Sequence, residues 1–281
     1  MKVIKTIEEA RREIGIWRKQ GLTVGLVPTM GYLHNGHKSL IEKAKAENDK
    51  VVVSVFVNPI QFGPTEDLDK YPRDIERDSV IAEEAGASFI FNPEPAEMYK
   101  STFSTYVDCE GITEGLCGSK RPGHFQGVCT VVSKLFNIIK PNRAYFGEKD
   151  AQQLAVIKRM VRDLNFDVEI VPCPIVREED GLAMSSRNVY LSQEERRAAL
   201  ILSKSLTRSK ELLKNGEKET KKILEEIIKV IETESLSKID YVEIVDSEDL
   251  APVSTVEKPV LIALAVFIGK VRLIDNFTFI G

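Results

Sequence analysis

The sequence predicts an α/β protein, with a doubly wound parallel sheet in residues 1–174 and a smaller α+β domain in residues 175–281. Three observations carry this expectation. Short apolar runs alternate with helical patterns through the first 170 or so residues, the signature of a parallel sheet flanked by helices. Around Pro172 to Pro174 that alternation stops and a polar segment, Arg177 to Asn188, takes over. Beyond it the order becomes helices first and long strands afterwards, which a compact α+β unit explains.

In chain order, the first domain's strand candidates are 23–28, 51–57, 88–92, 144–146 and 168–172, and the helical patterns between them are 37–48, 73–85, 128–139 and 150–164. Val24, Leu26, Val27 and Pro28 suit a strand buried on both faces. In such sheets ligands bind beyond the carboxyl ends of the strands, near the point where the winding reverses. Three segments fall at such ends: Thr29 to His37, Asn58 to Phe62, and Phe146 to Asp150. In the second domain a helix starts near Ser192, whose hydroxyl makes a capping box with Glu195. Charged amphipathic helices at 192–214 and 217–234 are split by Asn215-Gly216, and strands at 239–245, 260–268 and 271–279 follow. The charge runs Glu217 to Lys222 and Glu225-Glu226 read as solvated helix faces.

Composition removes several classes of function. Of 281 residues, 43% are apolar and 29% charged, as in an ordinary soluble globular protein. Lys and Arg number 39 against 43 Asp and Glu, a net charge of −4, so no basic field recruits nucleic acid. The longest apolar run, Val260 to Ile268, is too short to span a bilayer, and no membrane partner is expected. Cys109, Cys117, Cys129 and Cys173 show neither framework spacing nor a redox pair, and Lys2, Lys5, Glu8 and Glu9 interrupt any secretory pattern. Reduced thiols and a cytoplasmic location are expected.

The stretch from Val24 to His37 is the most informative. An apolar strand runs into Gly31 and Gly36, which let the backbone turn closely around a ligand, and a helical pattern begins at His37. His34 and His37 then sit at a helix N-terminus, where backbone N–H groups and the dipole favour an anion such as a nucleotide phosphate. A metal half-site and a purely structural pair are the competing readings; zinc would need further ligands, and the cysteines supply no CxxC.

Other segments add to this one. In Phe146-Gly-Glu-Lys-Asp-Ala-Gln-Gln153, Lys149 suits a phosphate, Asp150 a hydrated magnesium ion, and Gln153 lies one helical turn after Lys149. An exposed lysine with a capping aspartate is the plainer alternative. Met184-Ser-Ser-Arg187 places two hydroxyls and a guanidinium in a loop before the second-domain helix, either a phosphate clamp or a polar hinge. Gly111 to Gly127 carries five glycines with Lys120, Arg121 and His124, and reads equally as a lid or an idle loop. Asn58-Pro-Ile-Gln61 puts two carboxamides at a strand end, where they can read hydroxyls and carboxylates or simply stabilise a turn.

Taken together, the blocks Pro28 to His37, Asn58 to Phe62, Phe146 to Asp150 and Met184 to Asn188 resemble the pantoate–β-alanine ligase family. HxGH alone indicates only the wider adenylyl-transferring superfamily with its Rossmann-like nucleotidyltransferase sheet. The Met184 to Arg187 block stands where relatives that act on tRNA carry a KMSKS-type sequence, which argues against a tRNA enzyme. The resemblance implies that ATP and pantoate form a bound pantoyl adenylate and pyrophosphate, and that β-alanine then gives pantothenate and AMP.

It further implies an ATP site made of Met30, Gly31, Tyr32, Leu33, His34, Asn35, Gly36, His37, Gly147, Glu148, Lys149, Asp150, Val176, Met184, Ser185, Ser186 and Arg187. Among these His34, His37, Lys149 and Arg187 would be catalytic, with His37 the proton donor, and Asp150 would favour Mg²⁺. Gln61 and Gln153 would bind pantoate, Gln61 also lying beside β-alanine. The second domain would close over the ATP site, and the family is dimeric and cytosolic. Two other functions stay open on the residues: a nucleotidyltransferase moving AMP onto a phosphate acceptor, and a catalytically silent nucleotide-binding protein.

Overall fold

The computed structural model describes residues 1–64 and 66–281. The chain packs as two compact units that interleave along the sequence. Unit 1 comprises Met1–Cys109, Arg121–Glu148 and Val156–Pro174; unit 2 comprises Glu110–Lys120, Lys149–Ala155 and Ile175–Gly281.

Unit 1 is built on a six-stranded, all-parallel sheet of β1 (Val3–Ile4), β2 (Val24–Thr29), β3 (Lys50–Val55), β4 (Phe89–Phe91), β5 (Arg143–Gly147) and β6 (Glu169–Cys173), in the order β1-β4-β3-β2-β5-β6. From β2 the winding proceeds outward to β3 and β4, then returns to place β5 and β6 on the other side. The switch point therefore lies between β2 and β5, paired through Gly25 with Arg143 and Leu26 with Ala144. The crossover helices include α2 (Asn35–Glu47), α3 (Ile75–Glu84) and α6 (His124–Ile139). Val27, Val51, Val53 and Ile90 of the sheet pack with Leu33, Leu40, Ile41 and Ala44 in the core. Both faces of the sheet are covered, which is why its strands read as unbroken apolar runs.

Three features depart from the sequence expectation. Residues 1–22, for which the pattern named no element, supply β1 and α1 (Ile7–Lys19); β1 has only two residues, too few for a strand pattern. α6 starts at His124 rather than 128, because His124, Gln126 and Gly127 interrupt the apolar period around Phe125. In the glycine-rich stretch before it, Leu116–Lys120 is helical (α5), and short α4 (Pro95–Met98) lies further upstream.

Unit 2 contains an antiparallel sheet of β7 (Ser237–Asp246), β8 (Val260–Ile268) and β9 (Val271–Phe279). The helix expected over 192–214 is two, α8 (Gln193–Ala198) and α9 (Leu200–Lys214), joined at fully buried Ala199; α10 (Thr220–Glu232) follows. The capping box at Ser192 is present, with the Glu195 carboxylate accepting the Ser192 N–H at 2.8 Å. Ile262, Leu264 and Val266 of β8 pack with Leu202, Leu206, Ile223 and Ile227 of α9 and α10. The alternate residues face the other way, and there Tyr241 and Glu243 of β7 meet Cys117 and Leu116 of α5. The central strand is thus covered on both faces, which accounts for its nine-residue apolar run.

Candidate active site

β2 ends at the switch point, and the chain must reverse within a few residues to enter α2. Gly31 allows this with φ +86°; a Cβ there would lie 2.9 Å from Val55 Cγ1 and 3.0 Å from Asp78 Oδ2. Tyr32 follows with φ 51°. This left-handed pair is held from α3, where the buried Asp78 carboxylate accepts the N–H groups of Tyr32 at 2.8 Å and Leu33 at 2.7 Å. Burial pushes the Asp78 carboxyl up, against the pull of those two backbone donors.

His34 caps α2. Its Nδ1 accepts the Gly36 N–H at 3.1 Å, while His37 Nδ1 accepts the His34 N–H at 3.3 Å, and the ring centroids are 4.1 Å apart. An Nδ1 that accepts a hydrogen bond carries no proton, so each neutral ring is a donor at Nε2. Two imidazole donors thereby join the first-turn N–H groups at the positive end of a helix of 13 residues.

Beyond β3, Asn58 leads into a 3-10 turn, Pro59–Gln61, and is 1% exposed. Its Nδ2 donates to Gln61 Oε1 at 3.0 Å and to the Gly127 carbonyl at 3.1 Å, and its Oδ1 accepts the Tyr99 hydroxyl at 2.8 Å. Gln61 Nε2 lies 3.2 Å from Met30 Sδ, linking this turn to the loop after β2. α6 approaches so closely only because Gly127 has no side chain; a Cβ there would stand 2.5 Å from Gln61 Cα.

His124 secures the other side of the turn. Arg121 Nη1, which can only donate, is 3.0 Å from His124 Nε2, so His124 Nδ1–H donates to the Gln61 carbonyl at 3.0 Å. Arg121 is itself clamped by Glu66 through bonds of 2.7 and 2.6 Å. Burial raises the Glu66 carboxyl, but the Arg121 hydrogen bond and charge outweigh it and hold it below the usual range.

In unit 2 the Lys149 to Gln153 segment takes a form the sequence does not anticipate. Glu148–Asp150 is a 3-10 turn and α7 (Ala151–Asp163) begins only afterwards, so Lys149 and Gln153 do not share one α-helical face. The Lys149 carbonyl accepts Asn276 Nδ2 of β9 at 2.8 Å. Gln152, not Gln153, is the buried glutamine, donating to the carbonyls of Ile112 and Gly115 at 3.1 and 2.9 Å.

The Met184 to Arg187 loop is also built from below. Met184 N–H donates to the Val176 carbonyl at 3.0 Å, and Arg177 pairs with Ala183 across an antiparallel bridge. Arg177 makes a two-pronged ion pair, 2.7 and 2.8 Å, with the buried Asp275 of β9. Ser185 Oγ accepts the Arg187 N–H at 3.2 Å and opens the short 3-10 helix Ser186–Tyr190.

Within unit 1, therefore, Met30 to His37, Gln61, Gly147 and Glu148 lie at the carboxyl ends of β2, β3 and β5. Within unit 2, Lys149, Asp150, Gln153, Val176 and Met184 to Arg187 lie on segments fixed to β9 or to one another. Four residues that hold these groups carry no local signal. Asp78 sits in a helix of alternating charges, Tyr99 follows a four-residue helix, and Asp275 and Asn276 look like ordinary strand polar residues.

The sequence matches the family profile described as pantoate-beta-alanine ligase over residues 2–278. A pantothenate synthetase of Clostridium acetobutylicum is 66% identical over 278 residues, 99% of each chain. The crystal structure of pantothenate synthetase from Thermus thermophilus superposes with a TM-score of 0.92 at 47% identity, covering 99% of both chains. A pantoate–β-alanine ligase from Francisella tularensis, solved with β-γ ATP and β-alanine, matches at TM-score 0.79 and 36% identity over 99% of this chain and 97% of that one. The chain belongs to the pantoate–β-alanine ligase family.

Proposed function

We propose that this protein condenses pantoate with β-alanine, using ATP, through an enzyme-bound pantoyl adenylate, releasing first pyrophosphate and then AMP. The observation that carries the reading is the pair of Nδ1-anchored histidines at the start of α2, on the switch point of the sheet. Pantoate's carboxylate must attack an already anionic α-phosphate. The protein's task is to neutralise that repulsion and the charge moving onto pyrophosphate, by fixed donors rather than by a nucleophile of its own.

In this reading Met30 to His37, Gly147 to Asp150, Val176 and Met184 to Arg187 serve ATP. The imidazole Nε2–H groups, the Lys149 ammonium and the Arg187 guanidinium meet phosphate oxygens, and His37 is the proton donor. Gln61 and Gln153 hold pantoate by its hydroxyls and carboxylate, and Gln61 also borders β-alanine.

Asp150 is exposed, and a single carboxylate suits a magnesium ion that keeps most of its waters and rides on phosphate oxygens. Among the described residues no cluster of three or more His, Cys, Asp or Glu forms an all-protein cage. Bound with ATP, the ion would supply charge neutralisation at the phosphates. Among the described residues no helix is long and apolar enough to cross a membrane. We read the protein as a cytoplasmic homodimer, as the family resemblance implies.

A pyrophosphate-release assay tests the reaction. Release is expected to require pantoate, and AMP to appear at the full rate only when β-alanine is added. A stable adenylylated product that no amine consumes would identify a nucleotidyltransferase instead.

A further inference from the structure

Every carboxamide presents two chemically opposite ends, and its partners decide which end faces outward. For Gln61 that choice matters. Pantoate offers a carboxylate and two hydroxyls, so an N–H end attracts its carboxylate and a carbonyl end repels it.

The partners form a line through unit 1. The Tyr99 ring packs edge-on against Phe103 with centroids 4.9 Å apart and lies 6.2 Å from Phe56. Its hydroxyl donates to Asn58 Oδ1 at 2.8 Å. Both Asn58 Nδ2 hydrogens are then spent on the Gly127 carbonyl and Gln61 Oε1, at 3.1 and 3.0 Å. Gln61 Oε1 is thereby turned inward and Nε2 outward, toward Met30. Burial, reinforced by Tyr106, pushes the Tyr99 hydroxyl well above its ordinary range, so it stays a donor at working pH.

We propose that Tyr99 is a positioning residue for the acid substrate: through Asn58 its hydroxyl sets the Gln61 carboxamide so that its N–H end faces pantoate. The proposal rests on the assignment of pantoate to Gln61. Without the hydroxyl, the buried Asn58 Oδ1 has no donor, and an orientation fixed from two ends is left to the Gly127 carbonyl alone.

Tyr99→Phe keeps the ring and removes only the donor. Losing one hydrogen bond's worth of orientation is expected to raise the KM for pantoate about tenfold. The KM for ATP and kcat at saturating pantoate should change little, while the unpaired Asn58 Oδ1 lowers the melting temperature by a few degrees. In a Gln61→Ala background the same substitution should have no further effect on the pantoate KM, since the group it orients is gone. An unchanged pantoate KM in Tyr99→Phe, equal rises for pantoate and ATP, or additivity with Gln61→Ala would each overturn the proposal. A Gln61→Ala enzyme with normal pantoate KM would instead overturn the assignment beneath it.

Discussion

Lys149→Ala is expected to slow adenylate formation by roughly two orders of magnitude or more, about 3 kcal/mol of transition-state stabilisation, the usual worth of an electrostatic donor aimed at developing charge. Among the described residues the Lys149 ammonium makes no ion pair, while its backbone is held by Asn276 independently of the side chain. The fold should therefore survive the substitution. Single-turnover release of pyrophosphate from ATP and pantoate is the measurement, with the melting temperature as control. A wild-type rate would remove Lys149 from the phosphate site.

The second large effect is on stability. Arg177→Ala strands the Asp275 carboxylate, whose side chain is 1% exposed, and leaves it the Asn276 N–H as a backbone donor at 2.8 Å. Removing one partner of a buried pair typically costs about 3–5 kcal/mol. With the Arg177 side chain 28% exposed, a loss of about 3 kcal/mol is expected. Because Arg177 also donates to the Gly181 carbonyl at 3.0 Å, the loop that carries Met184 to Arg187 loses an anchor and the KM for ATP should rise. Arg177→Lys should recover only part of the stability, since an ammonium cannot reproduce the two parallel bonds. A urea transition shifted by less than about 1 kcal/mol would contradict this.

What was legible in the sequence was local. The strand-to-helix turn from Val24 to His37 stands out because apolar run, glycine and helix start are contiguous, and the structure places His34 as the cap and His37 in the first turn. The parallel sheet and the nine-residue strand β8 are legible for the same reason. What was hidden depends on contacts distant in sequence. Asp78 reaches back 45 residues to Leu33, and Asp275 reaches back 98 to Arg177, so neither shows a pattern in its own neighbourhood. The interleaving of the two units is hidden likewise: residues 110–120 join unit 2 through Gln152, Tyr241 and Glu243, partners far away in the chain. Helix α1, by contrast, carries a readable signal, with Thr6 as its cap and Ile7, Ala10 and Ile14 on one face; only two-residue β1 beside it is beyond pattern reading.

The chemistry reduces to whether pantoate's own carboxylate oxygen bonds to the α-phosphorus of ATP. Pantoate labelled with ¹⁸O in its carboxylate, turned over with ATP and β-alanine, answers this by mass spectrometry of the products. One labelled oxygen should appear in AMP and none in pyrophosphate, because aminolysis breaks the acyl C–O bond and leaves the bridging oxygen on phosphorus. Unlabelled AMP, or label in inorganic phosphate alongside ADP, would contradict the adenylate route and the roles assigned to His34, His37 and Lys149.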